Sequence, residues 1–547
     1  MQATARGAHG PLIRNDSVQV ERLDLKPLNV RGTGPKRVEV NSLHLSVVSF
    51  SEQKRGSTAW TRLIGSVFPG QKSVVDARQP QQNSCPLAHR ATTWISPMNS
   101  VASFAVRPPV TRHTPSRPFL LGLGLTFLAM SLLRADDWPQ WRGPQRDGVW
   151  RETGIVTAFA SAELTPTWTA KIGPGYSGPT VAGDAVFLTD RVNAPEQQER
   201  VLCFDRKTGR PRWTHAYPCV YRDIDYALGP RAAVTVADGR AFAFGAMGHA
   251  HALEVSDGRV LWARNLAAEF NVSINVWAVS AAPLVVGDLV IFQVGAQPDA
   301  CLVALDVRTG KERWRAIDDK ASYSAPRLIR QGGRDVVLAW TASWLACLDP
   351  ATGKVLWQTP YKRAKMILNV GDPILDETGG KLFLSAFYDG AACYNLKPDF
   401  GPPELLWKRS GVSERKTDAL HSIMMTPYIR DGYVYGIDSY GEMRCLNLAN
   451  GDRVWEDTSL LANGRWATAY FVQNGDRTWI TTEKGEIVIA RLTPRGFERI
   501  SSARFITPET ALRGRDHPIA WSHPAYAHRS LFARNDSQLI CIPLGAD

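Results

Sequence analysis

The chain has no Cys-x-x-Cys-His sequence, which excludes covalent attachment of a c-type haem. It has no apolar run of comfortable transmembrane length. The run from Phe119 to Leu133 falls short of the roughly 20 residues a spanning helix needs. Beyond residue 135 it also lacks an excess of charge of either sign. Residues 1–135 hold 17 Lys and Arg against 6 Asp and Glu, and the remaining residues hold 47 against 46. Of the net charge of +12, +11 therefore belongs to the leading stretch, and an extended polyanionic partner such as nucleic acid is not expected for the rest.

The leading stretch itself has few acids, scattered Pro and Arg, and no sustained periodicity. Arg112 and Arg117 precede the apolar run and Ala135 follows it, the basic, apolar, small order of a secretory signal peptide. An uncleaved membrane anchor is the alternative for residues 118–135. Because such a leader stands at the start of a translated chain, residues 1–117 are read as disordered or as lying upstream of the true start, with Met98 a candidate start. The expected location is exported, in the periplasm or cell envelope.

A repeat dominates residues 136–547. Its clearest copy is Ala304-Leu305-Asp306-Val307-Arg308-Thr309-Gly310-Lys311-Glu312-Arg313-Trp314. Further copies end at Trp213, Trp262, Trp357 and Trp455. A looser one, with four extra residues in its turn, ends at Trp407, and a decayed one runs from Ala490 to Ile500. A β-rich repeat at intervals of 43 to 52 residues predicts a propeller. Each repeat reads as four short strands. Gly183-Asp184, Asp238-Gly239, Gly287-Asp288 and Asp431-Gly432 form hairpin turns between the first two strands. The Asp and Thr of the phrase satisfy backbone N–H groups in its turn, and Gly takes the left-handed position there.

The eighth repeat is divided. Residues 166–170, containing Trp168, form a fourth strand with no three before it, and Trp521 to Leu544 supplies three with no Trp strand after them. The expected fold is thus an all-β, eight-bladed propeller of four-stranded blades, closed by pairing of the N-terminal strand with the C-terminal blade. Cys203, Cys347, Cys393, Cys445 and Cys541 occupy one repeated slot, two before the Asp/Asn position, that Ala252, Ala304 and Ala490 fill elsewhere. Equivalent slots in separate blades lie too far apart for the ~4.4–6.8 Å Cα spacing of a disulfide, so these are expected to be small core residues.

The phrase Ala-x-Asp-x-x-Thr-Gly-x-x-x-Trp resembles the tryptophan-docking motif of the pyrroloquinoline-quinone (PQQ) repeat propellers, which include quinoprotein alcohol dehydrogenases and the outer-membrane assembly lipoprotein. The segment from Asp137 to Gly148, Asp-Trp-Pro-Gln-Trp-Arg-Gly-Pro-Gln-Arg-Asp-Gly, looks like the opening of exported bacterial PQQ-like proteins and should pack across the ring as an aromatic plug. The resemblance leaves PQQ with calcium open as cofactors. This chain departs from the dehydrogenases in having no adjacent Cys-Cys pair, and their calcium ligands and catalytic Asp match no motif here.

Residues entering the innermost strands should face the channel mouth: Tyr176, Arg231, Trp277, Tyr323, Asn369, His421, Arg465, Trp466, Trp521 and His523. Aromatic plates with Arg and His could hold a flat anionic quinone, a sugar or a peptide end. In the polar loop Glu414 to Ser422, Asp418 is the candidate general base, and with Asn369 it could reach calcium. His249 and His251 have no third ligand near in sequence, so no metal site is assigned there. The expected function is a monomeric ligand-binding or protein-interaction scaffold of the cell envelope, with an envelope protein or small molecule as partner. The alternative is a PQQ- and calcium-dependent dehydrogenase of an alcohol or sugar.

Overall fold

The computed structural model describes residues 136–546 and, in the preceding stretch, the backbone of one antiparallel hairpin, Ser51–Lys54 with Ser57–Trp60. The expected leader at 118–135 lies outside the described residues, as does most of 1–117. No helix among the described residues is long and apolar enough to cross a membrane.

Residues 168–543 form eight four-stranded antiparallel sheets whose innermost strands touch their neighbours around the ring. Blade 1 spans 180–218, blade 2 235–265, blade 3 284–316, blade 4 327–360, blade 5 374–409, blade 6 428–457 and blade 7 469–504. Blade 8 takes Ala525–Ala527, Ser530–Arg534 and Gln538–Pro543 from the C-terminal end and Trp168–Lys171 from the other. Trp168 pairs with Cys541 and Lys171 with Gln538, so the ring is closed as the divided repeat predicts. The only described helix is the single turn Leu266–Glu269.

The repeated phrase has a common geometry. The small residue of the third strand stands opposite the Trp of the fourth, as in Cys203 with Trp213 and Ala304 with Trp314. A β-bulge follows the small residue in six blades, and in blade 7, where the Trp is absent, it falls just before Ala490. On its other side the small residue often faces an aromatic of the second strand, such as Phe187, Phe242 or Phe383. With no bulk between them the two rings meet. Phe187 and Trp213 have centroids 5.9 Å apart, and Phe383 and Trp407 6.0 Å. This explains why the slot takes Ala or Cys. All seven described cysteines are free and buried, and burial pushes the thiols of Cys203, Cys347, Cys393 and Cys445 up to about 12.

Each Trp then docks on the next blade. The indole N–H of Trp213 donates to the Val255 carbonyl (2.9 Å), Trp262 to Val307 (3.1 Å) and Trp314 to Pro350 (2.9 Å). Trp168 donates to Arg206 (2.8 Å), which carries the contact across the closure. Beneath the rings of Trp168, Trp213, Trp262, Trp314 and Trp407 the turn glycine is required twice over. Gly353 has φ +71°, and a Cβ there would stand 2.5 Å from Trp314 Cε3. Trp357 differs because the next turn is the one with extra residues. It donates to the Gln331 side-chain oxygen (3.2 Å), and Gln331 passes the link to the Lys397 carbonyl (2.7 Å).

Where blade 7 lacks its Trp, the segment before blade 8 fills in. Ile155, Val156, Phe159 and Leu164 pack there, and Phe159 meets Trp479 at 5.9 Å. Upstream, residues 137–150 run across the channel as expected of a plug. Trp138 exchanges backbone bonds with Val181 of blade 1, Val236 of blade 2 donates to Pro139, and Trp150 donates to Gln473 of blade 7. Arg146 reaches into the channel and donates to the Pro326 (2.9 Å), Ala282 (3.4 Å) and Pro283 carbonyls, backbone groups that close packing leaves without a strand partner.

Candidate functional site

At the mouth of the channel lies a cavity of about 140 Å³, floored by the plug residue Trp141 and by His523. Its wall is aromatic: Tyr176, Tyr226, Trp277, Tyr323, Trp466, Tyr470 and Trp521. The rings meet edge-on across the opening. Trp277, between blades 2 and 3, lies 5.4 Å from Trp466, between blades 6 and 7, at 90°. Tyr226 bridges Trp277 (5.9 Å) and Trp521 (5.6 Å). Loops from opposite sides of the ring thus form a shared aromatic lid.

Two lid residues occupy unusual backbone. Tyr226 has φ 52° and Trp466 has φ 69°, in the left-handed region that large side chains avoid. Such strain persists only where the surroundings hold it, and it gathers at binding sites. The polar groups are held in place. Arg231 donates to the carbonyls of Gly229 (3.0 Å), Asp225 (2.8 Å) and Tyr226 (2.8 Å), which fixes the loop carrying Tyr226. Asp372 accepts from the Trp141 indole (2.6 Å) and the Ala325 amide (2.9 Å). The Tyr323 hydroxyl accepts from the Trp277 amide (3.1 Å), and the Trp521 indole donates to Glu483 (3.1 Å).

Of the residues expected at the mouth, Tyr176, Arg231, Trp277, Tyr323, Trp466, Trp521 and His523 line this chamber. Three do not. Asn369 is buried, with its side-chain amide on the Thr341 carbonyl (2.8 Å). His421 is buried between the Phe387 carbonyl (2.7 Å) and Thr417. Arg465 lies over the Trp466 ring at 4.2 Å. Asp418 is exposed and paired with Arg409 (3.0 Å), away from the chamber lining. Sequence reasoning missed Tyr226, Asp372 and Met424. Tyr226 sits in an irregular loop with no repeat counterpart, so register could not find it. Asp372 directly precedes the innermost-strand Pro373, a position that does repeat and could have signalled it.

These residues do not suit a tricarboxylate quinone. Arg231 is engaged by its own loop, Arg465 is absent from the lining, Asp372 places a carboxylate in the floor, and the rings that meet across the opening do so edge-on. An apolar cavity near 150 Å³ is the size that accepts a single aromatic ring.

His523 gives the chamber a pH response. Its Nε2 accepts the Gly178 amide (3.1 Å), and burial pulls its pKa down to about 4. In the unfolded chain an imidazole titrates near 6.5. As pH falls from about 6.5 towards 4, the unfolded chain gains a proton that the folded one excludes, so stability is lost, by up to about 3 kcal/mol. Urea melts at pH 7.5 and 5 should show this loss, and His523→Gln should remove part of it. An unchanged pH slope in the variant would contradict the assignment.

A family model described as outer membrane protein assembly factor BamB matches residues 222–457, the blades in which the Trp phrase recurs in register. The match covers less than half of the chain, whose fold is that of an eight-bladed β-propeller. Among curated proteins, 1-butanol dehydrogenase (quinone) of Thauera butanivorans is 30% identical over 152 residues, covering 25% of this chain and 24% of that protein. The alignment therefore spans about a quarter of that relative's length. Among solved structures, BamB from Moraxella catarrhalis superposes with a TM-score of 0.47 at 16% identity, over 69% of this propeller chain and 99% of that one. A europium-containing methanol dehydrogenase gives 0.38 at 13%, over 74% and 90%.

Proposed function

We propose that this propeller is an exported ligand-binding protein of the cell envelope, whose channel-mouth chamber encloses one flat, mainly apolar ring of its ligand. The observation that carries this reading is the strained lid, Tyr226 and Trp466 held at positive φ to close aromatic rings over a cavity of one-ring size. Stacking and edge contacts supply the affinity, and Arg231 and Asp372 are already engaged by protein groups.

Trp466→Gly separates lid function from folding. Glycine relieves the backbone strain while deleting the ring, so the variant should melt no lower than a Trp466→Ala variant and should bind p-cresol or indole at least about tenfold more weakly than wild type, by calorimetry. Equal binding in wild type and Trp466→Gly would rule out the chamber as the site.

A quinone-dependent dehydrogenase is the second reading, favoured by the similarity to the Thauera butanivorans enzyme. Purified protein mixed with PQQ and calcium should then reduce an artificial dye with alcohols or sugars. The ligand-binding reading expects no dye reduction. Export is supported by the basic, apolar, small order at 112–135. Mass spectrometry of the mature protein should find an N-terminus near Asp136, and abundant peptides from residues 1–97 would exclude it.

A further inference from the structure

Trp141 floors the chamber, and the next residue, Arg142, lines a different cavity, a groove of about 860 Å³ between the plug and blades 4 to 7. Arg142 and Arg327 stand at its buried end, 9% and 8% exposed. Arg142 Nη2 donates to the Asp147 carbonyl (3.0 Å), and Arg327 Nη1 to the Pro373 carbonyl (2.8 Å). Arg142 Nη1 and Arg327 Nε are buried and have no partner.

Both guanidiniums are near Asp372 and Asp147, but each of these carboxylates is held by other partners. Asp372 is turned to the chamber side, where it accepts from Trp141, Ala325 and Ser324. The Asp147 carboxylate is paired with Arg151 and accepts the Val149 amide (3.0 Å). Burial and the adjacent Arg327 pull Arg142 down to about 10. An unpartnered buried N–H is costly, and two buried like charges side by side are more so. A group that offers both an acceptor and a negative charge relieves both penalties at once.

We propose that this end of the groove binds a small oxyanion, a phosphate or carboxylate group, held by one N–H from Arg142 and one from Arg327. The proposal is independent of the chamber reading, because the two cavities share no lining residue. It also gives a role to the first Arg of the opening segment, whereas Arg146 is engaged by channel carbonyls.

The test is calorimetric titration of the full propeller with inorganic phosphate and, separately, with malonate, at matched ionic strength in chloride. Phosphate heat alone identifies a phosphate site, malonate heat alone a carboxylate site, and both a general oxyanion site. Any of these should be weakened at least about tenfold in Arg327→Gln and in Arg142→Gln, the loss expected for one charge-assisted bond. Arg308→Gln, an exposed residue of blade 3 with the same change in net charge, should bind as wild type. Should Arg142→Gln fail to fold, Arg327→Gln carries the test. The proposal is overturned by absence of heat with both anions at millimolar concentration, by undiminished binding in a folded Arg327→Gln, or by equal weakening in Arg308→Gln.

Discussion

Trp168→Ala should destabilise the propeller by roughly 3–5 kcal/mol, as truncation of a buried aromatic does, and by as much as Trp314→Ala in the middle of the ring. Residues near the start of a domain usually tolerate such changes. Trp168 should not, because it completes blade 8 and docks on blade 1 in one residue. It pairs with Cys541, meets Phe532 at 6.1 Å and donates its indole N–H to Arg206. Gly209 lies under it as Gly353 lies under Trp314, with would-be Cβ distances of 2.5 Å in both cases. Loss of the indole contact weakens the seam at which the ring closes, and the blades are stable only together. Urea melting of both variants decides the matter. A Trp168→Ala protein that melts like wild type while Trp314→Ala does not would mean that closure contributes nothing to stability.

Arg444→Met should cost roughly 3–5 kcal/mol at neutral pH or above, the range for leaving one member of a buried ion pair alone. Asp438 is fully buried and pairs with Arg444, which also donates to the Ala419 carbonyl (2.7 Å) and Glu456 (2.8 Å). Asp438 in turn accepts the His421 amide (2.9 Å), so the pair anchors the loop that brings Ile423 and Met424 to the chamber. Burial raises the Asp438 carboxyl to about 7 even beside Arg444. Removing the cation raises it further. Between the unfolded carboxyl pKa near 4 and that raised value, the folded variant keeps a proton the unfolded chain has released. Stability of Arg444→Met should therefore fall as pH rises, by up to about 1.4 kcal/mol per unit. Melts at pH 6 and 8 should show a larger deficit at pH 8, and Arg444→Met with Asp438→Asn should recover part of it. A deficit independent of pH would show that Asp438 is not the group left unpaired.

Much of the fold was legible because the repeat places the same residues under the same constraint many times. The Trp, the turn glycine and the small residue opposite the Trp recur at fixed offsets, so the blade count, the divided eighth blade and the Ala/Cys slot could all be read directly. The channel mouth was legible in part. Tyr176, Arg231, Trp277, Tyr323, Trp466, Trp521 and His523 precede innermost strands, and that register alone places them at the opening.

Chain register says that a residue enters the channel end of a blade, but which way its side chain turns depends on partners far away in sequence. Asn369 and His421 occupy the same kind of position as Trp277, yet the Thr341 and Phe387 carbonyls draw them into the packing between blades. Tyr226 reaches the lid because Arg231 holds its loop by three carbonyls. Arg142 and Arg327, 185 residues apart, share a groove because the plug lies across the ring. By itself the sequence determined the repeated contacts between neighbouring blades, since those depend on local spacing. Tertiary structure alone decided the closure of the lid and the pairing of buried charges, since those join loops from opposite sides of a closed ring.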